Sequence, residues 1–575
     1  MPWRPLSLAS LTCLLPVLAL HPAVAAQQPQ RPADAKPAGE DPVLLADLQA
    51  FDLWLTEYTK GQFRISREGK VDEAALADVD ARMAKIAKWN TLPAAKKLVQ
   101  AASVDPVPPG AKSSTELVDF RRELQPWRIQ SLAVKHLRTM TGPGILDWLM
   151  SRLDAKGLRA AAKSPEQRQA AVALRVLGGS PSLEAKLALV RASQSMPPEL
   201  RVQAVTAMAD DAALDTAPVL VELLRDAEPN VRIAACDALA TALESHTDES
   251  LVKDVAPEVA TVRDNAIAKL RELVVRDKVW QVRSAAAFSL ARMRCKAAIP
   301  ALIDGLEAEL ARKKDPWAMD VRLHKLLEGL TGQTVVQGDI RPWKEFWKAE
   351  GASFTVKPKV APGAEPPKAS KYEKFFDLTI ESDRVLFVID FSGSMAEPMQ
   401  LQGQGTGARP SDPTTKAQLV VAELKKLVMS LPDGALVNLV VFSDEVRAWR
   451  EDGGKPALVK LDDAGRDDLL GSFLDSLRPA GPTNLYGALD KALDFAGRGL
   501  HDKYYEAAFD TLYVITDGAP SAGEVTDKVE IRRRVREANR LRKLTIHCIT
   551  FGDKNDTDFL RPMAEENGGR HIHVQ

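Results

Sequence analysis

Residues Arg384-Val-Leu-Phe-Val-Ile-Asp-Phe-Ser-Gly-Ser-Met395 decide how the C-terminal third of this chain is read. The apolar run from Val385 to Ile389 has the composition of a buried strand, and the polar residues after it mark the loop in which it ends. On extended backbone, positions i, i+2 and i+4 project to one side, so Asp390, Ser392 and Ser394 converge while Gly393 permits a tight turn. Asp-x-Ser-x-Ser is short enough for chance to supply it. Its meaning depends on what surrounds it.

Similar apolar runs recur at 435–442, 511–517 and 544–551, separated by amphipathic helical stretches at 416–431, 485–496 and 529–542. Strands alternating with helices predict a parallel sheet covered on both faces, a doubly wound α/β (Rossmann-like) domain with ligands at the carboxyl edge of the strands. Two more motifs fall at that edge. Gly481-Pro-Thr-Asn-Leu-Tyr-Gly487 carries Thr483 in a loop before a helix, and Thr516-Asp517-Gly518 closes a strand. A donor set of oxygens alone suits a hard cation such as Mg2+, with Mn2+ or Ca2+ as substitutes.

In order and setting, Asp390, Ser392, Ser394, Thr483 and Asp517 resemble the five-residue metal-ion-dependent adhesion site (MIDAS) of von Willebrand factor type A domains. The resemblance implies that both serine hydroxyls ligate the metal directly, Thr483 directly or through water, and the two aspartates largely through water. It also implies an open coordination position for the acidic side chain of a protein partner. A divalent ion among neutral hydroxyls keeps positive charge that such a group neutralises. One departure is the Gln/Gly/Pro-rich insertion at 396–413.

Upstream the grammar is helical. Between about 115 and 351 an arginine preceded by an apolar residue or Gln, and followed by small and apolar residues, returns at Arg128, Arg168, Arg201, Arg232, Arg283 and Arg322, at intervals of 31 to 51 residues. The stretches 229–239 and 280–290 resemble the second helix of HEAT repeats, which implies hairpins stacked into a solenoid because none can bury its apolar face alone. The longest interval predicts a surface loop at 246–262. Trp343 and Trp347, one helical turn apart, read as a buried cap on the last repeat.

The remaining segments complete an expected order. Residues 1–26, with an apolar run from Leu6 to Leu20 and small residues at 23–26, form a signal peptide; 27–42 a disordered leader; 43–114 a helical region; 115–351 the HEAT-like repeats; 352–370 a Pro-rich linker; 371–575 the A domain. Export predicts a periplasmic, secreted or cell-surface protein with no stable membrane span once mature. The linker further predicts that residues 115–350 and 371–575 fold independently.

With 575 residues, 45% hydrophobic and 27% charged, the chain is an ordinary multidomain globular protein, and 77 basic against 78 acidic residues leave no global field for nucleic acid. Cys236, Cys295 and Cys548 are too few and too scattered for a disulfide framework and read as buried residues. His571 and His573 lack a third ligand, and the basic stripe from Arg532 to Lys543 reads as a solvated helix face. No phosphate loop, zinc-protease motif or nucleophile elbow occurs. The expectation is a non-enzymatic binding protein that recognises an acidic ligand through the metal, with the repeats as scaffold. The alternatives are a passive envelope scaffold with a structural metal, or a subunit of an enzyme complex.

Overall fold

The computed structural model describes residues 41–67, 70–104, 120, 123–154, 158, 164–210, 214–312, 318–356, 374–376, 378–380, 382–398, 415–452, 455–493, 508–551 and 558–574. The signal peptide, nearly all of the leader, most of the linker and residues 399–413 of the insertion lie outside them. Helices α1 (Pro42–Thr59), α2 (Glu73–Lys88) and α3 (Leu92–Ala102) open the chain. The first begins where Asp41 accepts hydrogen bonds from the amides of Val43 and Leu44 and Pro42 occupies the first turn.

The helical array continues through α4 (Pro126–Leu137), α5 (Ile145–Leu153), α6 (Pro165–Leu177), α7 (Leu183–Ser195), α8 (Pro198–Asp210), α9 (Ala217–Leu223), α10 (Pro229–Thr247), α11 (Pro257–Arg276), α12 (Trp280–Arg292), α13 (Ala298–Ala311), α14 (Met319–Thr331) and α15 (Arg341–Glu350). Alanines let neighbouring helices approach closely. Between α10 and α12 the separation is small enough for Ser289 Oγ to donate to the Cys236 carbonyl at 2.6 Å. The long interval between Arg232 and Arg283 is taken up mainly by helix, since α10 runs on through Thr247 and α11 starts at Pro257. The predicted loop at 246–262 is narrower, residues 248–256, and is tied down by Asp248, which accepts from the Ser250 amide and pairs with Arg294. Trp343 is buried, with its Nε1 donating to His324 Nδ1 at 3.0 Å, and Trp347 packs against Phe354.

The recurring arginines tie successive repeats together. Arg201 forks onto Asp226, Arg232 onto Asp277, and the buried Arg283 reaches Glu309; each also donates to a carbonyl five or six residues upstream. Planar guanidinium groups suit such paired acceptors.

The C-terminal unit is a seven-stranded sheet. Its strands are β1 (Arg384–Asp390), β2 (Leu436–Phe442), β3 (Val446–Ala448), β4 (Val459–Lys460), β5 (Thr511–Thr516), β6 (Thr545–Thr550) and β7 (His571–His573), in the order β4-β2-β1-β5-β6-β7 with β3 beside β2. Five strands are parallel, but β3 and β4 pair antiparallel with β2. The departure from the all-parallel expectation has a simple cause. Only Ser443, Asp444 and Glu445 connect β2 to β3, too little chain for the crossover a parallel pair needs. Helices α16 (Lys416–Ser430), α17 (Leu485–Leu493), α18 (Lys528–Arg542) and α19 (Leu560–Glu566) accompany the sheet.

The sheet domain does not stand apart from the array. Arg322, the last of the recurring arginines, donates to the main-chain carbonyls of Asp510 and Lys543 and lies over Trp280. Asp510 in turn accepts from the Ala318 amide at 2.9 Å, and Lys543 Nζ pairs with Asp237 of α10 at 2.7 Å. The apolar layer on one face of β1, β5 and β6 joins the solenoid core. The two segments expected to fold independently are thus in direct contact through Arg322, Asp510 and Lys543. The basic stripe on α18 is solvated only in part, with Arg536 exposed and Arg534 largely covered. Arg533 and Arg534 pair with Glu530, Arg534 lies 4.6 Å over Trp127 of α4, and Arg532 pairs with Glu566.

Candidate metal centre at the carboxyl edge of the sheet

Strands β1 and β5 lie side by side, with Ile389 opposite Ile515. Asp390 and Asp517 therefore leave the sheet at one edge. Asp390 is fully buried: its Oδ1 accepts from the Ser392 amide at 2.7 Å and its Oδ2 from Thr516 Oγ1 at 2.6 Å. Ser392 and Ser394 hold their hydroxyls 3.2 Å apart, and Ser394 Oγ donates to Asp517 Oδ1 at 2.8 Å. Four of the five expected residues thus form one hydrogen-bonded chain.

Thr483 joins through its loop. Gly393 N donates to the Gly481 carbonyl at 2.9 Å, which seats the 481–483 turn on the serine loop, and Gly481 needs the left-handed conformation (φ +78°) that glycine adopts freely. Thr483 exchanges hydrogen bonds with Ser521, amide to hydroxyl at 2.9 Å and carbonyl to amide at 3.0 Å. Asn484 caps α17 through the Gly487 amide at 2.9 Å and lies so close to Gly523 that a Cβ there would sit 2.0 Å from Asn484 Oδ1. These contacts hold the Thr483 hydroxyl beside Gly518, at 3.9 Å from where a Cβ on that glycine would be.

The electrostatics are those of a site short of positive charge. Burial raises the Asp390 carboxyl from its ordinary 3.8 to about 6; hydrogen bonds from Thr516 and Ser392 pull it back, and the neighbouring Asp517 pushes it further up. One cation is present that the sequence motifs do not announce. Lys416 Nζ, on a side chain only 9% exposed, lies 2.8 Å from Asp517 Oδ2 and 2.8 Å from Glu397 Oε2. Burial works against its charge, but the two carboxylates outweigh it and hold the lysine above its ordinary value. Among the described residues no three His, Cys, Asp or Glu side chains converge as a metal cluster; the donors of Asp390, Asp517, Ser392, Ser394 and Thr483 are oxygens alone.

That donor set fits a small hard cation. Octahedral Mg–O distances of about 2.1 Å place adjacent ligand oxygens about 3 Å apart. The oxygens of Ser392, Ser394 and Asp517 follow each other at 3.2 and 2.8 Å. His571 and His573 both rest on the Thr550 hydroxyl, at 2.9 and 3.0 Å.

Residues 411–572 match a family model of the von Willebrand factor type A domain. Residues 185–271 match HEAT repeats and 282–308 a PBS lyase HEAT-like repeat. This chain carries a von Willebrand factor type A domain behind HEAT repeats. Thr483 and Asp517 fall within the matched A-domain residues, whereas Asp390, Ser392 and Ser394 precede them. Inter-alpha-trypsin inhibitor heavy chain H1 of Sus scrofa is 31% identical over 196 residues, which is 34% of this chain and 19% of that protein. Heavy chain H6 of Homo sapiens is 26% identical over 188 residues, 32% of this chain and 12% of that one. The chain thus spans less than a fifth of the length of these curated relatives. A solved von Willebrand factor type A structure from Catenulispora acidiphila aligns over 34% of this chain and 40% of its own, at 19% identity and a TM-score of 0.24. Among the described residues no helix is long and apolar enough to cross a membrane.

Proposed function

We propose that this is an exported, non-enzymatic binding protein whose A domain recognises an acidic protein side chain through a divalent cation, Mg2+ first, while the HEAT repeats hold the domain and add an extended surface. The observation that carries the reading is the run of oxygens Ser392–Ser394–Asp517 beside the buried Asp390 at one strand edge. Ser392, Ser394 and Thr483 would supply neutral oxygens, and Asp390 and Asp517 the balancing charge. When bound, the cation would supply the positive charge that an incoming Asp or Glu neutralises.

The test is direct. Full-length protein should gain thermal stability with Mg2+ by an amount that grows with the logarithm of concentration above the dissociation constant, and Asp517→Ala should abolish the gain. Partner capture should vanish with EDTA and return with Mg2+ or Mn2+, and Thr483→Ala should weaken the partner more than the metal. Absence of Mg2+ uptake at millimolar concentration sinks the metal site. Uptake with EDTA-insensitive capture assigns recognition to the repeats.

The ion pair between Lys416 and Asp517 favours one rival, a passive scaffold whose edge is closed by its own lysine. Partner capture that depends on Mg2+ separates the two.

A further inference from the structure

Lys416 is an odd residue to find at the first position of a helix. The positive end of the helix dipole disfavours a cation there, and no acidic residue lies in the first turn of α16 to offset it. The helix starts regardless because Thr415 and Gln418 form a reciprocal capping box. Something else must hold the ammonium in place. Its two partners are Asp517, whose side chain is wholly buried, and Glu397, whose side chain is 64% exposed. Asp517 is thereby shared: one oxygen takes the Ser394 hydroxyl and the other takes the lysine.

Charge counting shows what this does to a metal at the edge. Asp390 and Asp517 alone would balance the formal charge of a divalent ion and so weaken its pull on an external carboxylate. With Lys416 beside them the same ion leaves up to one unit of positive charge, less the share of the ammonium that the solvent-exposed Glu397 neutralises, and an acidic ligand cancels the remainder. We propose that Lys416 is a resident counter-cation that weakens divalent binding in the absence of ligand and makes metal and acidic ligand bind as a coupled pair. The inference rests on the proposed metal site and names the residue that ties its two ligands together. Glu397 tunes the effect, because the charge it takes up on the ammonium is charge the metal does not meet.

The experiment is Mg2+ titration calorimetry on the full chain, with and without acetate as the simplest carboxylate probe, for the wild type, Lys416→Met, Lys416→Arg and Glu397→Gln, each checked for folding by circular dichroism. Lys416→Met should bind Mg2+ at least tenfold more tightly than the wild type and lose the acetate dependence. Lys416→Arg keeps the charge and should behave as the wild type. Glu397→Gln should bind Mg2+ several-fold more weakly, a shift opposite to that of Lys416→Met, which general damage to the fold would not produce. Equal or weaker Mg2+ binding by folded Lys416→Met overturns the proposal and leaves the metal site standing. Silence of all four proteins at 10 mM Mg2+ (about the upper end of millimolar affinities) overturns both.

Discussion

Replacing Asp390 with Asn should make the metal-free protein more stable while destroying the site. Asp390 is buried at the end of β1, and its carboxyl is raised from 3.8 to about 6, first by burial and then by the charge of Asp517, against the pull of Thr516 and Ser392. An acid whose folded value exceeds its unfolded one opposes folding once it ionises. Below about pH 4 both states are protonated and nothing is lost; between about pH 4 and 6 the penalty grows, and above that it is constant. A shift of about two units corresponds to about 3 kcal/mol. Asn keeps an acceptor for the Ser392 amide and offers Thr516 a donor without the charge, so about 1–3 kcal/mol should be recovered at pH 7.5. The assay is urea denaturation in EDTA at pH 4, 5, 6 and 7.5. The gap between variant and wild type should open through that range and be small at pH 4. Added Mg2+ should stabilise the wild type, by about 2.7 kcal/mol at a hundredfold excess over its dissociation constant, and leave the variant unmoved. An Asp390→Asn protein that is less stable than the wild type in EDTA at pH 7.5 refutes the reasoning, because the carboxylate would then be holding the loop and not straining it.

Arg322→Ala should loosen the docking of the A domain, since it strands the carbonyls of Asp510 and Lys543 in a buried interface at about 1–3 kcal/mol each; hydrogen exchange should rise at the Ala318 amide, and unchanged exchange would discount the contact. The thiols of Cys236, Cys295 and Cys548 should resist alkylation until the protein unfolds, because all three are buried and burial raises each, Cys295 to about 11; rapid labelling of the native protein would contradict this. N-terminal sequencing of exported protein should begin near Ala26 or Gln27, and a mature chain that retains the apolar run from Leu6 to Leu20 would overturn the expected cleavage.

Local pattern carried the strands, the helices and the three loops of the candidate site, because each is written in a few consecutive residues. Arg384–Asp390 reads as a strand and is one; Thr516-Asp517-Gly518 closes its neighbour. What pattern could not carry is contact between distant positions. Arg322 meets Asp510 across 188 residues, and Lys543 meets Asp237 across 306. Nothing near Arg322 distinguishes it from Arg232, whose partner is another repeat. The same holds for Lys416. A lysine opening an amphipathic helix looks like a solvent-facing residue until β5 brings Asp517 alongside it. The stripe on α18 is a solvated face at Arg536 but not at Arg534, whose cover by Trp127 of α4 no local pattern announces. The short antiparallel strands β3 and β4 escaped because two or three residues are too few to show a period.

The two ends of β5 explain why these parts belong on one chain. Asp510 precedes the strand and is gripped by the solenoid through Arg322 and the Ala318 amide; Asp517 follows it and belongs to the candidate metal edge. Six extended residues separate them, about 20 Å of backbone. The strand is buried along its whole length and paired on both sides, with β1 and with β6, so it cannot bend to carry a displacement from one end to the other. Attachment at the amino end therefore fixes the direction in which the metal edge faces and leaves that edge clear of this anchor. A gate would require the opposite arrangement, with repeat residues reaching over Ser392 or Ser394, and no described residue of the array bonds to either. The geometry is that of a mount: the repeats fix the direction of the candidate metal edge, and the proposed ligand would meet it at the other end of the sheet from this anchor.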